Sequence, residues 1–131
     1  MVLGTQKKES IDAEPLLQWY MNLFSEVLNE RNRLLLIIGY GFGDSHINAV
    51  ISGAIANSGL RYVVVNPSTT QELLRTMRTD RTHWQILERG MSSHVPHTLR
   101  EIFPPDPPVV LQSVASAGWS LLRRDFFDQP E

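Results

Sequence analysis

Leu34-Leu35-Leu36-Ile37-Ile38-Gly39-Tyr40-Gly41-Phe42-Gly43-Asp44-Ser45-His46-Ile47-Asn48 is the stretch on which the fold turns. Five large aliphatic residues in a row, closed by a glycine, are what a strand covered by helices on both faces requires, and the run reads as the central strand of a parallel sheet. Three glycines alternating with Tyr40 and Phe42 then allow a sharp turn and a close backbone approach to a partner. Asp44 and Ser45 are N-cap residues, and Ile47, Val50, Ile51, Ala54 and Ile55 repeat at helical spacing, so a helix with one apolar face begins there. The order is strand, glycine loop, helix.

Downstream, Asn57-Ser58-Gly59 is a C-cap signal. Arg61-Tyr62-Val63-Val64-Val65-Asn66 is a second buried strand, stopped by Pro67. A βαβ unit closes with a right-handed crossover, which places Gly39 and Asn66 on one edge of the sheet, where ligands of open α/β sheets bind. Ser68 with Gln71, and Thr69 with Glu72, form overlapping capping boxes for a third helix that turns Leu73, Leu74 and Met77 inward. Upstream, Asp12 is placed to cap a helix with Pro15 in its first turn and an apolar stripe from Leu16 to Leu28. His83 to Glu88 reads as a short strand and Leu99 to Phe103 as a helical turn. Pro104-Pro105-Asp106-Pro107-Pro108 is a stiff spacer. Beyond it, residues 109–131 read as a helix interrupted near Gly118, with Trp119, Phe126 and Phe127 fitting it to dock on another surface, a second copy of the chain included. The fold class is α/β, a partial Rossmann-like three-layer unit with a small, mainly parallel sheet and flanking helices over residues 1–103.

The 131 residues are 42% apolar, carry a net charge of −2 and have a pI near 6.1. No surplus of Lys and Arg is available to neutralise a phosphate backbone, which argues against nucleic acid as partner. The chain has no cysteine, which excludes disulfides and thiolate metal sites. No run is apolar enough for a signal peptide or a membrane span, and the expected location is the cytoplasm.

Gly39-x-Gly41-x-Gly43 departs from the dinucleotide fingerprint G-x-G-x-x-G, because the third glycine falls one position early and Asp44 stands in its place. A carboxylate at a helix N-terminus repels a pyrophosphate. Asp44 therefore either caps its own helix or takes a ribose hydroxyl. Asn66 ends the second strand where such folds often carry a ribose-reading carboxylate; its other reading is a turn residue before Pro67. His46, in the first helical turn, is expected neutral and hydrogen-bonded. Asn48 is placed to reach back and hold the loop. One of Tyr40 and Phe42 faces the ligand edge while the other packs. His94 and His97 have a metal-like spacing, but Pro96 breaks the helix that would align them and no metal is expected.

Leu36 to Gly43, Asp44-x-His46-Ile47-Asn48 and Val63-Val64-Val65-Asn66-Pro67 together resemble the C-terminal half of SIR2-like domains, particularly bacterial SIR2-like proteins associated with NAD cleavage in phage defence. The resemblance implies a fold of the SIR2/deoxyhypusine-synthase type. It equates the glycine loop with the sirtuin Gly-Thr-Ser loop and Val65-Asn66 with the sirtuin Ile-Asn strand end. It thereby implies NAD or an ADP-ribose derivative as ligand, with Gly39, Tyr40, Gly41, Asp44 and Asn66 as carried-over contacts; Phe42 and His46 complete the candidate set. The family's N-terminal Gly-Ala-Gly loop, its ribose-directed Asn and its His base have no counterpart before Arg33. No catalytic residue is therefore assigned, and turnover as an NAD hydrolase would require completion by an N-terminal half or a partner. A homo-oligomer or a missing N-terminal half-domain is the expected partner, since two or three parallel strands leave apolar edges open. The alternative is a non-catalytic interaction module on the same scaffold.

Overall fold

The computed structural model describes residues 14–103 and 117–130. Helix α1 (Pro15–Leu28) starts with Pro15, where the missing N–H costs nothing; the extended residue ahead of it is Glu14, which makes no side-chain cap. Asp12, the expected cap, lies outside the described residues. Then come β1 (Leu34–Ile38), α2 (Ser45–Ser58), β2 (Arg61–Val65) and α3 (Thr70–Met77). They are followed by α4 (Trp84–Gly90), β3 (Met91–Val95), α5 (Leu99–Ile102), α6 (Ala117–Leu122) and a π-helical turn, Arg123–Phe127. All three strands are parallel in the order β1-β2-β3, which makes the domain an α/β unit with a small parallel sheet and flanking helices, as the sequence predicts.

Strand alternation divides the core in two. Ile37, Tyr62 and Val64 face Ile51 and Ile55 of α2, Leu73 and Met77 of α3, and Leu87 of α4. Val63, Val65 and Val95 face Ile102 and Leu122 on the other side, with Leu34 and Leu36 partly covered there. Buried Tyr62 donates its hydroxyl proton to the Leu87 carbonyl, which ties β2 to α4.

Several expectations change. Among the described residues β1 is an edge strand and not the central one: β2 has a partner on each side and is buried from Tyr62 to Val65, whereas Ile38 is 47% exposed. Residues 84–88 are helical rather than extended, and the third strand lies further on, at Met91–Val95. Trp84 and Leu87, three apart, share one helix face toward the core, a spacing that a strand would send to opposite sides. β3 contains Ser92, Ser93 and His94, weak strand formers recruited by the β2 ladder.

Gly118 lies within α6, where an added Cβ would approach Ile102 Cγ1 to 2.9 Å, so close packing favours glycine there; the residues ahead of Ala117, which the expected interruption also concerns, lie outside the described residues. From Ala117 onward the segment packs Leu122, Trp119, Leu121 and Phe126 onto the second face of the chain's own sheet. The proline spacer 104–108 and Val109, Val110 and Val114 lie outside the described residues. The α1 stripe exists, but only Leu28 is buried and Phe24 packs beneath it; Leu16, Trp19, Tyr20, Leu23 and Val27 are exposed, Trp19 by 55%. Among the described residues no helix is long and apolar enough to cross a membrane.

Candidate functional site

Parallel pairing brings the ends of all three strands to one edge. Gly39 N–H donates to the Val65 carbonyl (2.9 Å) and Asn66 N–H to the Val95 carbonyl (3.2 Å), so the ladder continues one residue past each strand and sets the glycine loop beside Asn66. Gly39 turns the chain at φ +71°, a conformation that a side chain disfavours. Phe42 adopts φ +62° without being glycine, which costs on the order of 1 kcal/mol that the surroundings must offset.

Those surroundings are aromatic and amide. The Phe42 ring is wholly buried, stacked obliquely between Tyr40 (5.0 Å between centroids) and Tyr62 (5.7 Å). Tyr40 is half-buried; burial first, and the negative charge of Asp80 second, push its phenol well above the ordinary range, so it is a neutral hydrogen-bonding group. Its hydroxyl donates to Asn48 Oδ1 (2.8 Å), with the Asp44 carbonyl a second acceptor at 3.0 Å, and accepts from Asp44 N–H (3.3 Å). Both rings therefore pack inward. Of the two aromatics that the sequence leaves undecided, Phe42 is the one that packs, and Tyr40 stays half-buried with its hydroxyl turned to Asn48.

Asn48, also wholly buried, saturates both amide protons: Nδ2 donates to the Phe42 carbonyl and to Asp80 Oδ2, each at 3.0 Å. It holds the loop from beneath, as its position predicts. Asp44 is the N-cap of α2, its Oδ1 accepting from His46 N–H (2.9 Å) and Ile47 N–H (3.3 Å). His46 sits half-buried in that first turn, and its ring makes no hydrogen bond among the described residues, contrary to expectation. Asn66 is only 8% exposed: Oδ1 accepts from Ser68 N–H (2.8 Å), and Nδ2 points at the Tyr40 carbonyl (3.4 Å). Its amide spans the two sides of the edge.

The outward side of the loop is different. Among the described residues, a Cβ placed on Gly39, Gly41 or Gly43 would meet no atom within 4 Å beyond its own chain neighbours, and neither Gly41 nor Gly43 has positive φ. The described residues give no steric reason, and their φ values no left-handed backbone, to require glycine at 41 and 43.

Two groups at this edge escape a reading of sequence spacing. His94 reaches across from β3, with Nε2 3.0 Å from the Asn66 carbonyl and Nδ1 2.9 Å from Thr70 Oγ1. A carbonyl only accepts, so Nε2 carries the proton. Asp80 lies in the turn after α3: burial opposes its ionisation, but hydrogen bonds from Asn48 and His83 outweigh it and hold the carboxyl below the ordinary range. Neither contact has a local signature, because each joins residues more than twenty positions apart. His97 pairs with Glu101 (2.8 Å), and no group of three or more metal-ligating side chains occurs among the described residues. An open concavity of about 730 Å³ lies at the opposite end of the sheet, lined by Arg33, Arg61 and Gln129. It is remote from the strand C-termini that carry the loop.

No curated protein and no solved structure matches the chain. The model of the SIR2-like domain family matches residues 9–101, which takes in α1, the glycine loop, Asn66 and the Asp80 turn. By that match, the chain belongs to the SIR2-like domain family.

Proposed function

We propose that the chain binds NAD or an ADP-ribose derivative at the sheet edge formed by Gly39 to Asp44 and Asn66. The carrying observation is the open outer side of Gly41 and Gly43, where the absence of side chains has no explanation among the described residues and leaves backbone free for close approach by a ligand. Membership of the SIR2-like family supports the choice of ligand. The residues also fit part of that ligand better than another. Asp44 already satisfies the first amides of α2 with a carboxylate, which opposes a pyrophosphate at that helix terminus and favours a neutral sugar against the loop. Backbone of Gly39, Gly41 and Gly43 would hold the ligand. The Tyr40 and Phe42 side chains would act by shaping the loop, and His46 stands at its rim.

No catalytic residue is assigned: bound NAD would supply a labile nicotinamide–ribose bond, while the chain's own residues bind and orient. In this reading the chain is the C-terminal half of a SIR2-like unit, which agrees with a three-stranded sheet whose β1 edge has no neighbour among the described residues. NAD hydrolysis would then need the complementary half. A second reading, an interaction module without ligand, is favoured by one observation: Asn66 and Tyr40 spend their polar atoms internally.

Thermal unfolding with NAD and with ADP-ribose separates the two readings. Binding raises the midpoint progressively with ligand concentration. An unchanged midpoint at millimolar ligand leaves the interaction module.

A further inference from the structure

Asp80 makes two kinds of contact with its two oxygens. Oδ1 serves the local turn, accepting from Thr82 N–H and His83 N–H, both at 3.2 Å. Oδ2 accepts from Asn48 Nδ2 across 32 positions of sequence, and the His83 ring nitrogen Nδ1 lies 2.9 Å from the same oxygen. Asn48 in turn holds the Phe42 carbonyl and receives the Tyr40 hydroxyl, the two non-glycine residues inside the loop. A continuous chain of hydrogen bonds therefore runs from the turn between α3 and α4 to the underside of the glycine loop. It is nearly closed to water, with Asn48 wholly buried and only 11% of the Asp80 side chain exposed. Phe42 stands at positive φ where this chain ends, and a strained residue persists only where its surroundings over-determine it.

We infer that Asp80 is a positioning residue: through Asn48 it fixes the glycine loop in the shape that receives the ligand. The inference rests on the ligand reading above for its functional half and on the hydrogen-bond chain alone for its structural half. An ionised carboxylate is suited to the task, because it accepts on both oxygens at once and so serves the local turn and the distant amide together. Asn48 has no freedom to compensate, since turning its amide by 180° would set Oδ1 against both the Phe42 carbonyl and the Asp80 carboxylate.

The variant Asp80→Asn separates the two duties. Asparagine keeps an oxygen for the local turn, as Asx turns allow, but presents an NH₂ that cannot accept from Asn48. Amide hydrogen exchange in the ligand-free protein is expected to accelerate severalfold from Tyr40 to Asp44, with β2 amides unchanged. ADP-ribose affinity, measured well below the unfolding midpoint, is expected to fall about tenfold, the loss of roughly one charge-assisted hydrogen bond. Adding Tyr40→Phe to Asp80→Asn should cost less than the sum of the single effects, because both act on one network. Unchanged exchange in the loop of a folded Asp80→Asn protein overturns the inference, as does faster exchange with unaltered affinity. If the unsubstituted protein fails to bind ADP-ribose, the ligand reading and the functional half of the inference fall together, and the exchange experiment still decides whether Asp80 holds the loop.

Discussion

Asn48 and Asp80, 32 residues apart, share a hydrogen bond of 3.0 Å beneath the glycine loop. One is buried in the first turn of α2 and the other follows α3, so the bond joins the loop to a part of the chain with which it has no sequence relation. Its removal from either side leaves a buried polar group unpaired. Asn48→Ala is expected to cost about 2–3 kcal/mol in urea unfolding, since the Phe42 carbonyl, the Tyr40 hydroxyl and the Asp80 carboxylate all lose a partner. A cost below about 0.5 kcal/mol, the level of an ordinary surface change, would show that the network carries little weight.

The same bond makes stability depend on pH. Asp80 has a lowered folded pKa, so it contributes stability above the unfolded carboxyl value, near pH 4. That contribution is lost as pH falls through the folded value. The gap in urea midpoint between the unsubstituted protein and Asp80→Asn should therefore be widest at neutral pH and narrow on acidification toward pH 3. A gap that stays constant across the range would mean that Asp80's ionisation does not stabilise the fold.

Gly59 closes α2 at φ +68° and donates its N–H to the Ile55 carbonyl at 3.1 Å. A Cβ there meets no neighbour, so the cost of Gly59→Ala is conformational alone. About 1 kcal/mol is expected, with an unchanged denaturant slope. A neutral or stabilising substitution would show that the cap relaxes to another geometry.

The β1 edge, without a neighbour among the described residues, and the exposed α1 stripe are expected to be covered by a second copy of the chain. Ile38 on the edge, and Trp19 and Tyr20 on the helix, are each about half exposed, a concentration of apolar surface that soluble proteins seldom leave open. Light scattering at micromolar concentration should give a mass above the 14.9 kDa of one chain, and Leu23→Lys with Ile38→Lys should return it to that mass. A monodisperse monomer before substitution would contradict this.

Local signals carried much of the fold. Gly59, Pro67 and the Thr69–Glu72 capping box mark boundaries by chemistry that acts within four residues, and the structure places them there. The aliphatic run 34–38 is a strand, but composition does not tell an edge strand from a central one. β3 was hidden because Ser92, Ser93 and His94 owe their extended form to pairing with β2. At the site, Asp44 and Asn48 were legible from helix-cap position and reach. Asp80 and His94 were not, since both meet the loop and Asn66 only after the chain has folded. Phe42 was legible as an aromatic flanked by glycines, yet its burial depends on Tyr62, a residue of another strand.

Ligand binding at this edge depends most directly on the outward face of Gly41 and Gly43. Calorimetric titration of ADP-ribose into the unsubstituted protein and into the Gly41→Ala, Gly43→Ala double variant, with urea midpoints taken in parallel, tests it. The fold tolerates both methyl groups and gains up to about 1 kcal/mol per site from a stiffer unfolded chain, so the variant should be as stable or more stable. Its affinity should nevertheless fall by about tenfold or more, because the methyl groups occupy space that the ligand needs. Equal affinity in the two proteins, or no binding by the unsubstituted chain at millimolar ADP-ribose, would contradict the proposed site.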